Sequence, residues 1–486
     1  MTRDMAVLSE AKRRLLAKYL QGEIPHNVGS LPPITRRPAG TCAPLSLVQE
    51  QAWRHAVNDL GGAYRESITI HRSGSLDVPA LERSLAEIIR RHEAWRSTFE
   101  LIENEPTQVV HPPSPCFSLP VTDLCSLPET VRQTEALRLA TEDARKPFDL
   151  EQGPFVRARL VRLAEQQYRL YMTVHQCIVD GVSVYQIFPA ELTALYSVFS
   201  AGNSSPLSEL PIQYADFALW ERQWLEPALD SQLKYWRKQL SGAPVSLQWP
   251  PDQVRPPVQR FRGAIEPFTF PTQLATALKE LSQREGVTLF MLLLAGFIAL
   301  LYRYSRQDYI LVGTLAPAGR KRTEVRGLLG YFLNPVAIRT TPSEKSTLRE
   351  LVTQVRKSVS DALSHDDVPF EFVSRQAGVR PDPSRHPLFQ IMFSLAPPMA
   401  ELGPGWDQTP MDVESGGAKW DLYFELSNRA NALLGRAQYN PDLLDSATVQ
   451  RIVRHYQLLL TSCTTDPNPR LCDLPPDSFF DDSGMA

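Results

Sequence analysis

Two hydrophobic periods alternate along this chain, and they do so in both of its halves. In the first half, ALERSLAEIIRRHEAW puts Leu81, Leu85, Ile88 and Ile89 on one helical face, behind Asp77 and Pro79 as helix-start signals. Two strand-like runs follow, VRARLVRL from Val156 and YRLYMTVH from Tyr168, joined by a short polar turn, and the chain then enters a helix through Asp180 and Gly181. The second half repeats the theme: helix-like LATALKELSQREG and TLFMLLLAGFIALLY, strand-like YILVGTLA from Tyr309, helix-like TLRELVTQVRKSVSDAL from Thr347, then strand-like PLFQIMFSL and WDLYFELS. At 486 residues the chain is too long for one ordinary core. With no short-period repeat, the mixture predicts an α/β (α+β) protein of two lobes rather than a barrel, with a ligand held most naturally between them.

Proline marks where the elements end. The 41 prolines gather in PHNVGSLPPITRRPAGTCAP from Pro25, around Pro206, in WPPDQVRPP from Trp249 and in the tail. Ahead of the first cluster, Ser9 to Gln21 carries leucines at 15, 16 and 20, with Ser9 as N-cap and Gly22 as a stop, which predicts a short amphipathic helix. The expected organisation is a linker helix and extended connector over 1–40, an N-terminal lobe over 41–210, a C-terminal lobe over 211–465 and a flexible tail over 466–486.

The charge balance, 51 Lys plus Arg against 54 Asp plus Glu, provides no broad basic field for nucleic acid or anionic lipid. Proteins or small molecules are the expected partners. The six cysteines show neither CxxC spacing nor a histidine cluster, so no metal site and no disulfide framework is expected, and a reducing cytoplasm fits best. The N-terminus mixes charges through its apolar positions, unlike an export signal. The most apolar run, Thr288 to Tyr302, falls short of the ~20 residues a membrane span needs, which predicts a buried core helix.

The candidate site is VHQCIVDGVS, residues 174 to 183, where an apolar strand breaks into a helix. A strand persisting through 176 would send His175 and Gln176 to opposite faces, so His175 cannot stand in for a base at 176. Gln176 can donate and accept hydrogen bonds but has no proton to exchange near neutral pH. In an apolar strand His175 reads first as a hydrogen-bonded core residue. Asp180 reads as a helix cap or as one half of a buried ion pair, and the arginines of GRKR, Gly319 to Arg322, offer a partner.

Together with other stretches, this segment resembles the HHxxxDG motif of nonribosomal peptide synthetase condensation domains, in the chloramphenicol acetyltransferase-like superfamily. PLSLVQEQAW (44–53), RHEAWRSTF (91–99), YADFALWERQW (214–224), VGTLAPAGR (312–320), GYFLNPVAIRT (330–340), HDDVPFEFV (365–373) and DPSRHPLFQIMFSL (382–395) resemble that family's successive core motifs, in order. The resemblance implies two such lobes in a V-shaped pseudo-dimer with a tunnel at their interface. It also implies donor and acceptor carrier proteins as partners, beside neighbouring synthetase domains, for a monomeric domain. Their phosphopantetheine arms are substrates, so no cofactor is implied. By resemblance, His175 is the first, largely structural histidine, Asp180 pairs with Arg320, Gly181 keeps the turn open near the reacting groups, and Asn334 lies near the channel. The family's second histidine, which positions or deprotonates the attacking amine, falls on Gln176.

The resemblance therefore implies amide formation between a carrier-bound acyl or peptidyl thioester and a carrier-bound aminoacyl group. Gln176 leaves three readings open: a domain that condenses by orientation, a degenerate relative kept as a platform for a tailoring enzyme or carrier protein, or a substitution introduced into a working enzyme. Asp180, Gly181, Arg320 and Asn334 all match the family pattern, which favours the enzyme. A freestanding acyltransferase acting on a soluble amine or alcohol is a further alternative. LSEAKRRLLAKYLQGE resembles the linker ahead of such domains in longer synthetases, pointing to an excised or terminal module.

Overall fold

Alternating and continuous apolar runs need sheets that are covered on one or both faces, and the chain supplies two large ones. The computed structural model describes residues 31–473 except 39, 58–61, 115, 243–246, 248–251, 379–381, 411, 430–431 and 467. The expected helix over Ser9–Gln21 and residues 474–486 of the expected flexible tail lie outside the described residues. The first sheet has five strands in the order Trp406–Pro410, Arg65–Ser73, Gln167–His175, Val156–Ala164 and Val121–Asp123. The second has six, in the order Asn334–Thr340, Ile310–Ala316, Ile391–Leu395, Leu422–Asn428, Leu433–Tyr439 and Ala264–Thr269. A small three-stranded sheet joins Ala43–Pro44, Glu105–Val110 and Ser97–Ile102.

Helices cover these sheets as their periodicity requires. Val78–Arg91 begins on Asp77, whose side chain accepts from the Ala80 N–H, and buries Leu81, Leu85 and Ile88 on the face predicted for them. The most apolar run forms the helix Leu289–Ser305, capped by Thr288 and buried continuously from Leu292 to Arg303. It is a core helix. No single helix among the described residues is long and apolar enough to cross a membrane.

The sheets do not respect a division of the chain at residue 210. Trp406–Pro410, from the segment assigned to the C-terminal lobe, pairs antiparallel with Arg65–Ser73 and places Gln408 opposite Ile70. The N-terminal sheet is thus completed by a strand from beyond residue 211. Proline clusters mark the ends of elements but not which sheet an element joins, and an unpaired edge at Arg65–Ser73 would expose a row of backbone groups.

Candidate functional site

The strand Gln167–His175 is buried from Leu170 onward and stops one residue before the amide. Gln176–Ile178 form a single 3₁₀ turn, whose Cys177 N–H donates to His175 Nδ1 at 3.2 Å. That turn separates the neighbours much as a continued strand would. His175 lies against Phe148, Phe155 and Tyr64, and burial pushes its imidazole down to about 3, helped by Lys419 and Arg65. It is a neutral core residue with Nδ1 as acceptor.

Gln176 faces the other way, into a cavity of about 200 Å³ walled by both halves of the chain. From the first half come Val48, Ala52, His55 and Tyr64; from the second come Tyr331, Pro335, His386, Lys419 and Trp420. Its backbone N–H donates to Tyr64 O at 2.8 Å, extending the pairing with the neighbouring strand by one bond. Its side chain is held at both ends: Nε2 donates to Glu66 Oε1 at 3.3 Å, and Oε1 accepts from Lys419 Nζ. The reversed amide would aim its NH₂ at an ammonium, so these partners fix its orientation.

Lys419 is the group that sequence reasoning passed over. Its ammonium sits 3.9 Å from the centroid of the Tyr64 ring, and burial lowers it to about 8 against the opposing pull of Glu66 and Cys177. Its backbone is fixed as firmly as its side chain. Gln259 Nε2 donates to Lys419 O at 3.0 Å, Ala418 N donates to Phe261 O at 2.9 Å, and a Cβ on Gly263 would lie 2.3 Å from the Gly417 carbonyl. Only glycine lets these two segments approach so closely.

Asp180 closes the turn. Its carboxylate accepts from Arg320 Nε and Nη2, each at 2.8 Å, from Ser183 N at 2.8 Å and from Phe332 N at 3.3 Å. The guanidinium also donates to Ser183 Oγ at 2.9 Å and lies 4.4 Å from the Phe332 ring centroid. With side chains 0% and 6% exposed, Asp180 and Arg320 form a bidentate, buried pair joining the motif to the second half of the chain.

The model of the family described as Condensation domain matches residues 40–477. The chain belongs to that family. This condensation domain is 39% identical over 442 residues to chondramide synthase of Chondromyces crocatus, covering 90% of the chain and 11% of that protein. It is 35% identical to phosphinothricin tripeptide synthetase PhsC of Streptomyces viridochromogenes, over 97% of the chain and 44% of that protein. The chain thus spans less than half the length of these curated relatives. Among solved structures, the X-domain from teicoplanin biosynthesis is similar with a TM-score of 0.80 and 26% identity, over 92% of this chain and 100% of that one. The first condensation domain of the CDA synthetase shares the fold at a TM-score of 0.80 and 18% identity, over 90% and 99%. The chloramphenicol acetyltransferase-like fold follows from these likenesses.

Two residues of this condensation domain, Asn334 and Gly181, are not among those that line the cavity. Asn334 does not line the cavity; it is fully buried, its Nδ2 donating to Asp366 O at 2.7 Å and Val368 O at 2.6 Å while Oδ1 accepts from Phe370 N at 3.1 Å. An amide is the side chain that can satisfy two carbonyls and one N–H together, so Asn334 braces the 366–370 turn, and its neighbour Pro335 reaches the cavity. At Gly181 a Cβ would meet only ordinary contacts, 3.4 Å from Pro397 Cδ and 3.7 Å from Tyr185 Cδ2, so local packing does not itself demand glycine. The residues that reasoning from sequence missed are Glu66, His55, His386 and above all Lys419. The signal available for Lys419 was a lone cation inside the apolar lead-in AKWDL.

Proposed function

We propose that this chain joins a carrier-bound acyl or peptidyl thioester to a carrier-bound aminoacyl group, the amine attacking the thioester beside Gln176. The observation carrying this reading is a cavity walled by both halves of the chain with Gln176 in its wall, the residue on which, by resemblance, the family's amine-positioning histidine falls. Gln176 is anchored between Glu66 and Lys419, so it can orient an amine through hydrogen bonds; holding two reactants in line can by itself supply a large share of an acyl transfer's acceleration. The phosphopantetheine arms enter as parts of the substrates, and no resident cofactor is needed. In this reading the domain works in the cytoplasm.

The second reading, a platform without chemistry, is favoured by one observation: the 26% identity to an X-domain, a protein also solved in complex with OxyB. Loading candidate donor and acceptor carriers and following the acceptor by intact-protein mass spectrometry separates the two. Amide product from the chain as written supports condensation. No product from it or from Gln176→His, with both carriers bound, supports the platform, and transfer to a soluble amine instead of the acceptor carrier points to a freestanding acyltransferase.

A further inference from the structure

A half-buried cation in a cavity wall needs a reason, because taking an ammonium even partly out of water is costly unless it is paired. Among the described residues, Lys419 has no carboxylate partner within ion-pair distance; its side-chain contacts are the Gln176 Oε1, the Tyr64 ring at 3.9 Å and the Trp420 ring at 5.7 Å. The ionisable groups facing it are Glu66 on Arg65–Ser73, Cys177 in the turn after His175, His55 on Leu47–Ala56, His175 itself, and His386. Arg436 and Glu425 act on it at one remove, through Glu66. Burial outweighs the acidic neighbours and brings Lys419 to about 8, whereas His386 is held at about 4 and is too weakly basic to keep an amine's proton.

We propose that Lys419 is the general base of this domain, taking from the attacking amine the proton that Gln176 cannot accept. The proposal rests on the amide-forming reading above. A neutral Lys419 donates one N–H to Gln176 Oε1 and keeps its lone pair for the incoming amine. The amine nitrogen bonds to the thioester carbonyl carbon, the nitrogen's proton passes to Lys419 Nζ, and the carbon–sulfur bond breaks. The donor arm leaves as a thiolate, which is protonated to the thiol by the lysine ammonium, restoring the base. Thioester and amine become amide and thiol with nothing left over. Gln176 is then a positioning residue, aiming the lysine with its carbonyl oxygen, and Gln259 and the Gly263 approach hold the lysine's backbone.

The test measures single-turnover amide formation between loaded carriers for the chain as written, for Lys419→Arg, which keeps the charge and ring contacts but cannot give up its proton, and for Lys419→Arg with Gln176→His. The expected result is a rate loss of about 100-fold or more in Lys419→Arg and substantial recovery when an imidazole is placed at 176. The rate of the chain as written rises with pH and levels near 8, and Lys419→Arg lacks that break. A merely structural lysine would show neither the imidazole rescue nor the lost break. Equal rates and equal pH profiles for the chain and Lys419→Arg overturn the proposal and leave the condensation reading standing. A loss that imidazole does not recover assigns Lys419 to structure and overturns it as well. No product from the chain as written overturns both.

Discussion

Replacing Arg320 by methionine keeps most of the side chain's stem and removes its charge. Asp180, with a side chain 0% exposed, then loses two bonds of 2.8 Å and keeps only the Ser183 and Phe332 N–H groups, at 2.8 and 3.3 Å. Removing one member of a buried pair costs about 3 to 5 kcal/mol, because the remaining charge has no compensation. Asp180→Asn strands the guanidinium in the same way. The double variant strands neither, so its loss falls below the sum of the two singles by about 2 kcal/mol or more. Urea unfolding followed by tryptophan fluorescence reads this as a midpoint shift of about 1 to 2 M for each single variant, at a slope near 3 kcal/mol per M. With two lobes, the transition containing the shift is fitted separately. Losses of less than about 1 kcal/mol, or losses that simply add in the double variant, would refute the reasoning that this pair ties the motif to the second half of the fold.

Three further outcomes follow from the packing. Gly330→Ala would bring a Cβ within 2.1 Å of Tyr214 Cδ2 and 2.8 Å of Phe332 Cε2, so it lowers thermal stability by about 1 to 3 kcal/mol, checked by calorimetry. Asn334→Ala leaves two carbonyls and one N–H unpaired, and hydrogen exchange at the Phe370 amide accelerates by about tenfold or more. Burial raises Glu221, which accepts from Leu47 N at 2.6 Å, from 4.5 to about 7. Between those values the unfolded chain has lost its proton while the folded one retains it, so the stability from this group is complete below about 4.5 and is lost as pH rises toward 7. Urea midpoints measured across that range show roughly 3 kcal/mol less pH-dependent loss in Glu221→Gln.

The parts legible in sequence were those governed by local rules. Asp77 capping a helix, the continuous apolar run that forms Leu289–Ser305, and strands at Gln167–His175 and Leu422–Asn428 all follow from residue type and period. What was not legible depends on contacts between distant segments. Trp406–Pro410 is too short to announce its sheet, and its pairing with Arg65–Ser73 is fixed by an edge more than 300 residues earlier, as the Thr69 to Asp412 bond at a separation of 343 illustrates. Asn334 lies in a family-like motif, yet its role is set by where the 366–370 carbonyls point. Lys419 stands 243 residues from Gln176, and nothing in a one-dimensional reading brings a lone lysine beside a lone amide.

On the proposed function, tethered reactants reach the side chain at 176 from within the cavity. Gln176→Cys offers a thiol there, and an acceptor or donor carrier whose phosphopantetheine arm ends in a chloroacetamide alkylates whatever thiol it reaches. Peptide mass spectrometry then locates the adduct, with the chain as written as control for its native cysteines, of which Cys42 and Cys116 are exposed. The expected result is a carrier cross-linked at position 176. An adduct confined to the native surface cysteines, or none at 176 while the carrier binds, would contradict it.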